Sequence, residues 1–319
     1  MKCWLVGASG QLGQCLQQAL IDNQVFSSID LVKSVHTNPD YPSSESFSLK
    51  ASRTKPFKLD ITDFDAVKLF VLTHKPKLII NTAAYTEVDN AESNIDKAYN
   101  VNHKGARNLA LVANQSNIPI IHISTDFVFD GQATIPYLEA HSSRPINVYG
   151  ASKRQGELTI QQACSQHVII RTSWLISEYG NNFAKTIIRL AQNRNELRIV
   201  DDQIGCPTYA GNLAKAILHM AAQIALGKTT WGTFHYCGNV STSWYGLAKA
   251  IVEEASVQRK LLTVPILQRI NTLDYPLPAK RPPYSVLDCQ QIKIAWDIEA
   301  CDWQASIKTL IKNLDVAAL

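Results

Sequence analysis

Short apolar runs rich in β-branched residues alternate with stretches of helical period along the first half of the chain. Cys3 to Val6 precedes a helical pattern from Leu12 to Ile21, Phe57 to Asp60 precedes Phe64 to His74, and Leu78 to Asn81 precedes Ala98 to Ala113. The series continues with Ile118 to Ser124, a helix beginning near Tyr149, and Val168 to Thr172, and a second strand falls around Ile29 to Val35. Alternation of this kind predicts βαβ units and a parallel sheet with helices on both faces.

After about residue 173 the pattern loosens. Helices are expected at Asn182 to Gln192, Asn212 to Ala225, Tyr245 to Ala255 and Gln304 to Leu314, separated by loops carrying Pro207, Pro265, Pro276, Pro278, Pro282 and Pro283. The expected architecture is α/β: a doubly wound parallel sheet of Rossmann type over residues 1–173, completed by parts of 211–236. Residues 174–319 form a smaller, discontinuous substrate-binding cap over the carboxyl edge of the sheet, where ligands of open α/β sheets bind. The polar stretch from His36 to Pro56 reads as a long surface loop.

Composition narrows the function classes. A chain of 319 residues that is 46% hydrophobic and 18% charged buries one large core or two smaller ones. The net charge of +4 is spread without a basic run, which argues against nucleic-acid or membrane-surface partners and suits a small anionic ligand. The opening Met-Lys-Cys-Trp-Leu-Val-Gly is too short an apolar run for a secretory leader, and no segment approaches the roughly 18 apolar residues of a membrane span. The seven cysteines are dispersed and never form Cys-x-x-Cys, so reduced thiols in a cytoplasmic protein are expected, with no metal site.

Gly7, Gly10 and Gly13 follow a strand and open a helix, letting backbone amides approach a diphosphate at the helix N-terminus. The same glycines also suit a turn that only packs helix on strand. Leu59-Asp60-Ile61 ends a strand where an adenine would lie, although Asp60 reads equally as an N-cap for a helix starting at Thr62. Asn81-Thr82-Ala83-Ala84 places small residues where a cofactor passes close to backbone.

Tyr149 and Lys153 are four apart on a helix and share a face, so an ammonium beside the phenol would favour phenolate and ease proton donation to a developing alkoxide. Thr125, at the end of the preceding apolar strand, offers a hydroxyl to the same carbonyl oxygen. His122, inside that strand, reads as a satisfied core histidine, and Trp174 at a strand end reads equally as a structural residue or a platform for a sugar or base. The second strand ends in Lys33, Ser34 and His36 without the acid that would bond a ribose 2′-hydroxyl. Lys33 with Arg53 or Lys55 is therefore expected to balance a 2′-phosphate, so that NADPH serves at least as well as NADH.

These motifs resemble the extended short-chain dehydrogenase/reductase superfamily and, within it, the dTDP-4-dehydrorhamnose reductase family. The resemblance runs through Gly7 to Gly13, residues 81–92, Val101-Asn102, Ser124 to Gly131, Pro145 to Lys153 with Gly156-Glu157, Arg171 to Trp174, Gly180 to Phe183, Asp202 to Thr208, and Arg281-Pro282 with Ser285 and Leu287-Asp288. It implies that Thr125, Tyr149 and Lys153 are catalytic, and that Val88, Thr125, Asp126, Tyr149 and Trp174 face the substrate. Cofactor contacts are implied for Gly10, Gln11, Leu12, Asp60, Ile61, Ala84, Tyr85, Thr86, Tyr149 and Lys153, with Gly7, Gly13, Ala83 and Asn102 beside them. The implied reaction is NADPH- or NADH-dependent reduction of the 4-keto group of a dTDP-linked 6-deoxyhexose, giving dTDP-L-rhamnose. A homodimer is one assembly the resemblance allows. Some members hold Mg2+ at a dimer contact through an acid on the first helix, and the absence of a carboxylate between Gly10 and Ile21 argues against that here.

Four alternatives stay open from sequence: a reductase of a related nucleotide 4-ketohexose, a 4,6-dehydratase, an epimerase, which would consume no reduced cofactor in net, and a non-catalytic regulatory subunit like the β subunit of methionine adenosyltransferase. Phe127 stands after Asp126 where the dehydratases carry an acid, which disfavours the second.

Overall fold

The structure is a computed structural model that describes residues 1–36 and 55–316. Its first part runs β1 (Lys2–Val6), α1 (Gln11–Asp22), β2 (Asp30–Val35), β3 (Phe57–Lys58), α2 (Phe64–His74), β4 (Leu78–Asn81), α3 (Val88–Ala91), α4 (Ile95–Tyr99), α5 (Ala106–Gln115), β5 (Ile120–Thr125), α6 (Val148–Ala163) and β6 (His167–Thr172). Then follow β7 (Leu175–Ile176), α7 (Phe183–Asn193), β8 (Glu196–Val200), β9 (Ile204–Gly205), β10 (Thr208–Tyr209), α8 (Ala210–Ala225) and β11 (Gly232–His235). The chain closes with β12 (Thr242–Ser243), α9 (Trp244–Val257), β13 (Ile266–Ile270), α10 (Gln290–Trp296) and α11 (Trp303–Asn313). The helix expected from Ala98 starts earlier, because a π-turn at Asn100–Gly105 joins α4 to α5. Most of the loop expected between His36 and Pro56, including Arg53, lies outside the described residues.

Seven strands form one parallel sheet in the order β11-β6-β5-β4-β1-β2-β3, the doubly wound arrangement. Successive strands are laid down in opposite directions on either side of β1 and β4. The loops leaving those two strands therefore part and open a crevice at their carboxyl ends.

Side chains alternate between two cores. Leu5, Ile80, Ile121 and Ile170 meet Leu16 of α1 and Leu213 and Ile217 of α8, while Trp4, Ile79, Ile120 and Ile169 meet Val67 and Phe70 of α2, Leu109 of α5 and Ile160 of α6. Each such fully buried side chain contributes about 1.5–3 kcal/mol, which anchors the strand ends that carry chemistry. Residues 210–235 return to the sheet, α8 packing on α1 and β11 pairing with β6. Helices α7, α9, α10 and α11 join the first core through Ile187, Ile251, Ile292 and Leu310. A small satellite core of Val128, Phe129, Tyr137, Cys206, Cys237, Val286 and Leu287 packs the loop after β5 against the C-terminal part.

Among the described residues no helix is long and apolar enough to cross a membrane, and no group of His, Cys, Asp and Glu could hold a metal ion.

Candidate active site

At the end of β1, Gly7 turns the chain with φ +80, and a Cβ there would fall 2.7 Å from the Ala83 nitrogen. Only glycine lets this turn lie so close to the loop after β4. Helix α1 starts at Gln11 with Gly10 extended as its N-cap, no side-chain cap and no acid in the first turn. The first N–H groups of the helix, on Gln11, Leu12 and Gly13, have no intrahelical partner and carry the positive end of its dipole. The side-chain amide nitrogen of Gln11 is also buried without a partner. Orphaned donors converging on an open helix terminus fit a dinucleotide's diphosphate. Leu12 contributes main chain only, its side chain being in the core.

The loop after β4 is held from behind. The Asn81 side chain accepts from the Ala83 N–H at 3.1 Å, and the Thr82 hydroxyl donates to the Val6 carbonyl at 2.8 Å. Asn102, on the π-turn, accepts from the Tyr85 N–H (2.8 Å) and donates to the Tyr85 carbonyl (3.1 Å) and the Ser152 hydroxyl (3.0 Å). Its amide is spent on positioning this loop. Asp60 does not cap α2. That role belongs to Asp63, which accepts from the Ala66 N–H at 3.0 Å, while Asp60 accepts from the Thr62 N–H at 2.8 Å and lies 3.7 Å from His36. The Ile61 side chain is buried against Gly105, and its carbonyl accepts from the Asn108 side chain at 2.9 Å.

Lys33 is not where a 2′-phosphate would need it. Alternation along β2 puts it on the face shared by Leu31 and Val35, only 5% exposed, and burial pushes its pKa down. His36, 68% exposed, occupies the end of the strand instead.

Thr125 is the last residue of β5. Its hydroxyl donates to the Asp126 carboxylate at 3.1 Å, accepts from the Phe127 N–H at 3.2 Å, and lies beside the Tyr149 phenol. Helix α6 is fixed at its start by Asn147, which accepts from the Gly150 N–H at 2.7 Å, and by Glu92, which accepts from the Val148 N–H at 2.8 Å. Tyr149, Lys153 and Glu157 then succeed one another on one stripe of the helix. The Lys153 ammonium, 2% exposed, donates to the Ile123 carbonyl at 2.6 Å.

The expected cation-lowered phenol is not what this arrangement gives. Burial pushes Tyr149 up to about 12 against the pull of the Thr125 hydroxyl, and the Asp126 carboxylate adds to the rise. Burial also brings Lys153 down to about 8, although Glu157 attracts its charge. Asp126 rises to about 6 for the same reason, the hydroxyls of Ser285 and Thr125 working the other way, and one of its oxygens is buried without a partner. His122 is buried, bonded to the Asn81 side chain at 2.9 Å, and held well below its usual pKa by burial and by Lys153, so it is neutral and outside the reaction.

Trp174 adopts φ +46 and stacks on Trp244 at 3.6 Å and 5°, with Phe183 4.6 Å from Trp244. A Cβ on Gly205 would fall 2.6 Å from the Trp174 ring, so glycine there makes room for the indole. Val88 is half-buried at the first position of α3.

The family model described as the RmlD substrate binding domain matches residues 1–316. The dTDP-4-dehydrorhamnose reductase of Aggregatibacter actinomycetemcomitans is 41% identical over 96% of this chain and 97% of its own length. That of Escherichia coli K12 is 36% identical over 98% of each. The chain belongs to the dTDP-4-dehydrorhamnose reductase family. Among solved structures, the family member from Bacillus anthracis, in complex with NADP, superposes with a TM-score of 0.82 at 33% identity, covering 98% of each chain.

Several residues of this reductase fold escaped sequence reasoning. Arg171 grips both oxygens of the fully buried Glu157 at 2.8 Å, and Arg154 adds a third contact at 2.8 Å. Burial opposes the Glu157 charge, but these partners and Ser124 outweigh it and keep the carboxyl below its usual pKa. Trp244 and Ser285 belong to the same set, brought to the site from distant parts of the chain. The family motifs contained Glu157, Arg171 and Ser285, but nothing local showed which residues meet.

Proposed function

We propose that this chain reduces the 4-keto group of dTDP-4-dehydro-L-rhamnose to give dTDP-L-rhamnose, using NADPH or NADH. The observation that carries the reading is the Thr125 hydroxyl at the end of β5 set beside the Tyr149 phenol, with Lys153 one turn along the same helix. Reduced nicotinamide supplies a hydride when bound. Thr125 and Tyr149 orient the substrate carbonyl between two hydroxyls. A phenol pushed up to about 12 stays protonated at neutral pH, and an alkoxide developing at C4 is basic enough to take that proton. Lys153, one turn further along α6, has its ammonium on the Ile123 carbonyl and so holds the helix that presents the phenol against β5. Asp126, bonded to Thr125 and set beside Ser285, is the carboxylate we place on the substrate side.

Phe127, set edge-on to Tyr149 at 5.8 Å, puts an apolar ring where dehydration would need an acid. Soluble ligands of this kind, together with seven free thiols, suit residence in the cytoplasm. The assembly we favour is a homodimer without a bridging metal, since the first turn of α1 lacks an acid. The deciding experiment is loss of reduced-nicotinamide absorbance on adding dTDP-4-dehydro-L-rhamnose, with the product sugar identified by NMR. Failure to consume either cofactor would sink the proposal.

A further inference from the structure

The segment from Ala279 to Ser285 contains no helix and a single bridge residue, Tyr284, yet it is fastened at nearly every step to elements of the site. The Ala279 N–H donates to Asp89 at 3.1 Å, the Lys280 carbonyl accepts from the Asn147 side chain at 2.7 Å, and the Arg281 guanidinium donates to both Asp89 oxygens at 2.6 Å each. Arg281 also closes onto its neighbour's Ala279 carbonyl at 2.6 Å, and Pro282 and Pro283 pack on Gly131. The Pro283 carbonyl accepts from the Ile204 N–H and the Ser285 N–H donates to the Ile204 carbonyl, each at 2.8 Å, which sets Ser285 beside Asp126.

The two elements grasped are the ones that flank the reaction. Asp89 follows Val88 on α3, and Asn147 is the cap of the helix that presents Tyr149. Residues 273–278 before the strap are all exposed, so the ion pair is the first anchor the chain meets on its way to the site. The pair is sheltered, with side-chain exposures of 17% for Arg281 and 34% for Asp89, and its forked geometry is one that lysine cannot reproduce.

We propose that Asp89 and Arg281 are positioning residues whose ion pair clamps the 279–285 strap across the cleft, preassembling the sugar-nucleotide wall and steadying the cap of α6. Neither residue touches reacting atoms. The kinetic consequence rests on the reductase reading, whereas the clamp itself is open to a measurement independent of turnover.

Arg281→Ala should raise the KM for the sugar nucleotide about tenfold or more while kcat and the Kd for NADPH change little, since small displacements of binding groups are costly. Arg281→Lys should fall between that variant and the parent, because it keeps the charge without the fork. In parallel, limited trypsin digestion of the folded protein, mapped by mass spectrometry, should show cleavage after Lys280 that is slow in the parent and faster in Arg281→Ala. An unchanged KM with unchanged cleavage overturns the clamp. So does an equal loss of sugar-nucleotide and cofactor affinity, which would mark general destabilisation. A parent enzyme that reduces no sugar nucleotide overturns the reductase reading instead, and the cleavage result alone then decides the clamp.

Discussion

The Lys153 ammonium donates to the Ile123 carbonyl at 2.6 Å, two residues before Thr125 on the same strand. One bond thus fastens the helix that carries Tyr149, the proposed proton donor, to the strand that carries Thr125. It leaves the cation with a neutral acceptor in a buried setting, because Glu157 one turn away is already held by Arg171 and Arg154.

A buried amine brought down to about 8 is a cost to folding at neutral pH. Between that value and the ordinary lysine value of ~10.4, the unfolded chain holds a proton that the folded chain has released, so stability rises with pH across this window. Below it, where both states hold the proton, the full penalty applies. Lys153→Met should therefore be more stable than the parent at pH 7 by about 2 kcal/mol, allowing for the lost hydrogen bond, with the gain shrinking towards pH 10. It should also be nearly inactive. Thermal unfolding at pH 7 and pH 10 checks this, and a variant less stable than the parent at pH 7 contradicts it.

Tyr149→Phe removes the proton donor and leaves the ring packed against Phe127. The loss of a positioned general acid costs typically ~10² to 10⁴ in rate, so kcat should fall by about 100-fold or more with NADPH affinity retained. Turnover within a few-fold of the parent would take Tyr149 out of the mechanism.

Much of the scaffold was legible because the strands Leu78–Asn81 and Ile120–Thr125 are short apolar runs and helices such as Phe183–Asn193 carry a clear apolar stripe. The paired β8 and β13 were not, since Glu196–Val200 buries only alternate residues and Ile266–Ile270 is largely exposed. Spacing placed Tyr149 and Lys153 on one face but said nothing of the Ile123 carbonyl that takes the ammonium. Arg281 and Asp89 were both in recognisable motifs, yet 192 residues of separation hide a contact from any local reading. Lys33 was misread for a different reason: the period of β2 was plain, but a lysine on its buried face runs against the usual cost of hiding a charge.

The Trp174–Trp244 stack offers a test of whether the indole serves the sugar side. Alanine at Gly205 would place a methyl 2.6 Å from the Trp174 ring, and the indole must tilt off its partner to make room. Both Gly205→Ala and Trp174→Ala should raise the sugar-nucleotide KM by about tenfold and leave NADPH affinity close to the parent's. Steady-state kinetics beside a fluorescence titration with NADPH separates the two ligands. If both affinities drop equally in soluble, folded variants, the indole serves the fold and not the substrate.

Cofactor choice turns on the end of β2. An acid there would bond the ribose 2′-hydroxyl and repel a 2′-phosphate, and this strand ends instead in Val35 with His36 beyond it. Lys33 faces the core, so an attracting lysine does not set the choice; the strand itself ends without an acid, and the Asp60 carboxylate lies 3.7 Å from His36. NADPH should then be used at least as well as NADH, and Lys33→Met should leave the ratio of their kcat/KM values unchanged within about twofold. His36→Glu restores the missing carboxylate at a site 68% exposed and should move that ratio about tenfold towards NADH. A parent that prefers NADH tenfold, or a ratio that responds to Lys33→Met and ignores His36→Glu, would reverse this assignment and return the discriminating role to the lysine.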